Sequence, residues 1–156
     1  MNTKRIGLWT MGVGVLISVG LLTIGQGYTE EKEHATKCTL ATLKGRYLFV
    51  VNGTYFPPAA GVTVESLFSR AGYRIFHGDG TGTTIVTETI NGVIHAADIH
   101  SDLSYTVNAD CTGTLKVLSA GATQEIFVAP NGEDMTIIAT DKGHVEAFSS
   151  WRVGLE

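Results

Sequence analysis

From residue 45 onward the chain is a succession of short apolar stretches, each stopped by a tight-turn signal, and this punctuation constrains the fold more than any other feature. Residues 45–51 alternate strongly and end at Asn52-Gly53. After Pro57-Pro58, residues 62–76 read as one long extended stretch, with a bend or bulge expected at Gly72. Gly78-Asp79-Gly80-Thr81-Gly82 reads as a turn. Residues 83–90 and 93–99 flank Asn91-Gly92, the strongest short hairpin signal. Further stretches at 103–110, 114–119, 125–129, 135–140 and 145–153 are divided by Gly121, Pro130-Asn131-Gly132 and Asp141-Lys142-Gly143. After residue 30 no apolar stripe has the 3.6-residue period of a helix. Twenty threonines and 19 glycines suit strands and turns.

Eight or nine neighbours joined by tight turns pair antiparallel, and such a row leaves raw edges unless the sheet closes. The expected fold is therefore all-β, a closed antiparallel up-and-down barrel of about eight strands within residues 38–156. At that strand number the interior is wide enough for one small ligand. A two-sheet sandwich is the alternative, but it normally needs longer crossovers than this chain offers.

The N-terminal part has a different logic. Lys4 and Arg5 precede 19 uncharged residues, 6–24, and the chain then turns polar and acidic. That order is an export signal, with Gly25 and Gly27 at the −3 and −1 positions of a cleavage before Tyr28. The apolar run is also close to the ~20 residues that cross a bilayer, so an uncleaved membrane anchor is the alternative. Both readings keep Lys4 and Arg5 inside and send Glu30, Glu31 and Glu33 out. The expected division is a signal or anchor over 1–27, a polar lead-in over 28–37 and the barrel beyond. The barrel then lies outside the cytoplasm, secreted or periplasmic.

Cys38 and Cys111 are the chain's 2 cysteines, and both fall in the exported part. A structural disulfide is the default in an oxidising compartment. Their spacing suits neither a metal site nor a redox pair, and Cys38, preceded by Lys37, does not suit lipid attachment. Net charge is −4, and cleavage would remove two of the 11 basic groups and none of the 15 acidic ones. An acidic barrel without a basic cluster is a poor nucleic-acid binder. No motif asks for a cofactor or metal: the glycine run 78–82 leads into a strand and so lacks the helix N-terminus that holds phosphate.

Three pieces carry a resemblance to a known family. Gly45-x-Tyr47-x-Phe49, the turn Phe76-His77-Gly78-Asp79-Gly80-x-Gly82, and Tyr105-Thr106-Val107-Asn108-Ala109-Asp110-Cys111-Thr112-Gly113-Thr114 resemble exported bacterial members of the allene oxide cyclase barrel-like family. The similarity runs over residues 38–153 and rests on turn and strand patterns, which speak for fold more than chemistry. It implies a calycin-type eight-stranded barrel with a hydrophobic cavity, often oligomeric. Plant members cyclise an unstable fatty-acid epoxide, some bacterial relatives close rings in polyketides, and the cavity mainly folds the substrate into shape. No catalytic residue carries over. The Gly45-x-Tyr47 strand, with Arg152 on the last strand, also resembles lipocalins, where an arginine packs over an aromatic at the barrel base.

Alternation selects the candidate site residues. Tyr47, Phe49 and Val51 share one face, as do Tyr105, Val107 and Cys111; Tyr47, Phe49, Tyr105 and Val107 line a cavity or fill the core. His95 lies among Val93, Ala97 and Ile99, where it would orient a ligand, donate a proton or stay half-exposed. Glu88 shares a face with Val86 and Ile90 and points to the cavity or to solvent. Glu65 and Arg74 are placed to pair across the barrel mouth. Several strands are apolar on both faces, which points to self-association as a homo-oligomer. Three functions fit these residues. The first is a barrel binding a small hydrophobic molecule. The second is a cyclase or isomerase of the allene oxide cyclase type, with His95 and Glu88 as its catalytic candidates. The third is a filled structural or interaction barrel.

Overall fold

The computed structural model describes residues 37–154. The expected signal or anchor over 1–27, and the polar lead-in up to residue 36, lie outside the described residues. Among the described residues no helix is long and apolar enough to cross a membrane.

Among the described residues nine strands form, β1 (Lys44–Tyr55), β2 (Ser66–His77), β3 (Thr81–Ile90), β4 (Val93–Tyr105), β5 (Thr112–Val117), β6 (Ala122–Val128), β7 (Asp134–Ala139), β8 (His144–Val145) and β9 (Ala147–Gly154). Each from β1 to β6 pairs antiparallel with the next, β7 pairs with β9, and β9 returns to β1. The ring is therefore a closed eight-stranded barrel, as the turn pattern requires. The two-residue β8 sits outside it, paired with Thr54 and Tyr55 at the end of β1.

Three details depart from the sequence reading. Asn52-Gly53 does not stop β1, which runs on to Tyr55 and pairs with β2 through Tyr55↔Ser66. Gly53 is needed inside the strand because a Cβ there would meet the Phe68 ring at 2.4 Å. Gly72 makes no bulge; its register with Phe49 and Val86 is unbroken, and a Cβ would fall 2.0 Å from the Ile85 carbonyl oxygen. The stretches 93–99 and 103–110 are not two strands, since β4 spans 93–105 with Asp98 at φ 51 where the β3–β4 register shifts, and 106–111 is a loop. Asn91 (φ 49) and Gly92 (φ 79) do turn the hairpin as expected.

The barrel's two ends differ. At the end where β1 begins, a 3-10 turn over Leu40–Thr42 and the buried Leu43 form a plug. Below it Phe76 stands edge-on to Tyr47 (5.3 Å between centroids) and Tyr105 (5.0 Å). The Tyr105 hydroxyl donates to the Leu43 carbonyl at 3.0 Å and accepts the Gly78 N–H at 3.0 Å. Tyr47 donates to the Gly132 carbonyl. Cys38 and Cys111 are bonded, joining the segment before the plug to the β4–β5 loop across a sequence separation of 73. Leu115, Ile126, Met135 and Ile137 complete a dry core at this end. On the outside, the neighbouring β1 and β9 present Leu48, Val50, Trp151 and Val153 to solvent, the two-faced apolarity read from the sequence.

Candidate binding cavity

At the other end the alternation of β1 to β6 and β9 leaves the interior unfilled. A cavity of about 390 Å³ opens between the Ala59–Gly61 turn, the β3–β4 hairpin, the β5–β6 turn and His144. Its apolar wall includes Phe49, Val51, Val86, Ile99, Val117 and Phe148. Polar side chains enter it from the same inward faces: Arg70, Arg74, Thr84, Glu88, Ser101 and Gln124.

Two arginines organise the polar part. They lie on one face of β2 with Phe68, Gly72 and Phe76, so strand geometry turns both inward. Arg70 donates to Glu88 through Nε and to the Tyr55 hydroxyl, and its Nη1 lies 3.3 Å from a Glu146 oxygen. Tyr55 in turn donates to Glu88 at 2.8 Å. One cation thus holds two buried carboxylates and a phenol. Burial opposes its charge, yet Glu146, with Tyr55 and Glu88, carries the Arg70 pKa above its ordinary value. Burial, helped by the hydrogen bond to Glu88, pushes the Tyr55 phenol well up, against the pull of Arg70.

Arg74 sits deeper, paired in register with Tyr47 of the plug and Thr84 of β3. It is 4% exposed, and its guanidinium lies 4.9 Å from the Phe49 ring centroid and 5.5 Å from that of Phe148. Nη2 donates to Gln124 Oε1 at 2.9 Å, and Gln124 donates onward to Glu146 at 2.9 Å. Nε and Nη1 find no acceptor among the described residues. Burial lowers the Arg74 pKa to about 10, and the neighbouring Arg70 charge adds to this against the attraction of Glu146. It stays a cation at neutral pH.

The candidates read from the sequence separate into three groups. Phe49 lines the cavity, and Glu88 is buried in its wall rather than in solvent. His95 is exposed at the rim, on the part of the β3–β4 hairpin that stands clear of the barrel. Tyr47, Tyr105 and Val107 are at the plugged end, outside the lining; Tyr47 and Tyr105 are spent on packing and on closing the plug. The Glu65–Arg74 pair does not form: Glu65 is exposed before β2 begins, whereas Arg74 is enclosed. Arg152 stands opposite Tyr47 in register and meets its hydroxyl by hydrogen bond and charge, and it also reaches Asn131 and Glu133. Sequence reading missed Arg70, Gln124, Glu146 and the inward course of Arg74. The available signal was Phe68-x-Arg70-x-Gly72-x-Arg74-x-Phe76, which puts both arginines on the phenylalanine face. Compared with protein-family models, curated proteins and solved structures, the chain matches none. The reading of the cavity rests on its own geometry.

Proposed function

We propose that this chain is an exported β-barrel that holds one small, largely apolar molecule in its cavity. The observation that carries the reading is an interior space of about 390 Å³, plugged by packed aromatics at one end and open at the other. Sites for small molecules start at roughly 300 Å³, with apolar walls and a few placed polar groups. A purely structural barrel would fill that space with side chains.

The polar residues favour holding a ligand over transforming it. Glu88 and Glu146 are both engaged by Arg70, and Tyr55 is kept protonated by burial. A reaction that used Glu88 as its acid or base would want that group free at the reacting atoms. Export is supported by the charge and apolar order of residues 4–24, and the Cys38–Cys111 bond suits an oxidising compartment.

The test is fluorescence titration of the full chain with N-phenylnaphthylamine, a neutral apolar dye that brightens out of water. Saturable binding of one dye per chain at micromolar concentration is expected; absence of saturable binding overturns the reading. The mass of the protein recovered from its own compartment checks export: loss of residues 1–27 supports cleavage, and an intact chain in the membrane fraction supports the anchor.

A further inference from the structure

The floor of the cavity has a chemistry that an apolar ligand alone does not answer. A guanidinium has five N–H donors, and three of those on Arg74, at Nε and Nη1, have no acceptor among the described residues although the side chain is only 4% exposed. A buried donor without a partner is costly, more so on a charged group. The charge has no ion pair either, and only Glu146, from beyond Gln124, attracts it. Both buried carboxylates are committed to Arg70, and Gln124 stands between Arg74 and Glu146, accepting from one and donating to the other. Among the described residues no carboxylate is within ion-pair distance of Arg74. Phe49 and Phe148 cover the cation without offering it an oxygen. The lowered pKa of Arg74 agrees with an under-compensated charge.

We propose that the ligand is a compact apolar carboxylic acid, bound as its anion with the acid end innermost on Arg74. This rests on the cavity-binding reading above and adds the chemical class. A carboxylate has the geometry to accept from neighbouring guanidinium donors and supplies the missing charge. The remaining wall, Val51, Val86, Ile99 and Val117 up to the mouth, suits the apolar body. Glu88 and Glu146 oppose a second negative charge near Arg70, which confines the carboxylate to the Arg74 side of Gln124. The order is fixed by the fold: Arg74 is level with the plug through Tyr47, while Arg70 pairs with Val51 nearer the mouth.

The experiment measures displacement of N-phenylnaphthylamine from the full chain by naphthoate and by naphthylmethanol, which share an apolar body and differ in the acid. The unaltered protein is expected to prefer naphthoate by about tenfold to a hundredfold, the worth of charge-assisted hydrogen bonds in a desolvated site. Arg74→Met is expected to bring that ratio to about one, and Arg74→Lys to retain part of it. Equal affinities in the unaltered protein overturn the proposal, as does a preference that survives Arg74→Met. If Arg74→Met does not fold, a naphthoate preference in the unaltered protein that Arg74→Lys leaves undiminished also overturns it. Failure of the dye to bind at all overturns the cavity reading itself, so the two failures are distinct.

Discussion

At the scale of single residues, the cavity's stability depends on polar groups that would cost energy if orphaned. Tyr55→Phe removes the donor to Glu88 and an acceptor for Arg70, and is expected to cost about 1–3 kcal/mol in chemical denaturation at pH 8. The sign of its pH dependence follows from the raised pKa. Tyr55 keeps its proton more tightly folded than unfolded, so its contribution is complete below pH 10.0 and is lost as pH rises beyond it. The gap between the native protein and Tyr55→Phe should therefore narrow between pH 10 and 11; a constant gap would contradict the assignment. These side chains were the hardest to read in advance because arginine and glutamate are solvent-facing by default. Alternation puts Phe49 on an inward face, and for Glu88 it leaves cavity and solvent both open, which the buried position of Glu88 decides. A lone charge on a strand suggests a surface pair at the mouth for Arg74, and only its Phe68–Phe76 face argues otherwise.

At the scale of elements, close backbone approach explains where strands continue and where they turn. Asn91-Gly92 and Asn52-Gly53 are the same dipeptide, yet only the first turns the chain. The difference lies in the partners: β2 and β8 both pair with the end of β1 and hold it extended past Gly53. Long-range pairing of this kind leaves no mark in a local pattern, which is why β1 and β4 came out longer than their turn signals suggested. Gly72 gives a direct check. An added methyl would meet the Ile85 carbonyl at 2.0 Å, so Gly72→Ala is expected to cost about 1–3 kcal/mol, measured by thermal or urea unfolding. The Cys38–Cys111 link closes a loop of 73 residues, and replacing both cysteines by serine should cost about 4 kcal/mol on the chain-entropy account. The loss should appear first as faster amide exchange at Leu43 and Tyr105, where the plug sits.

At the scale of the whole molecule, the barrel divides into a packed end and an open one, and substitutions at the two ends should separate stability from binding. Met135→Ala, in the packed end, is expected to lose about 2–5 kcal/mol while dye affinity stays within about twofold. Ala122→Phe, in the cavity wall, should weaken dye binding by about tenfold or more with little loss of stability. If both substitutions act alike, the two-ended description fails. Closure was legible from the tight turns, but which end stayed open was not, because the plug comes from residues before β1 and from packing between distant strands. The same closure has a consequence for biosynthesis. Within the barrel β1 is made before the other strands and needs β9, the last of them, as its neighbour, so the emerging polypeptide cannot close the barrel until β9 is free. Ribosomal stalling or a stop codon ahead of residue 147 would leave β1 and β7 each with an unpaired edge, a product suited to proteolysis and aggregation rather than to partial activity.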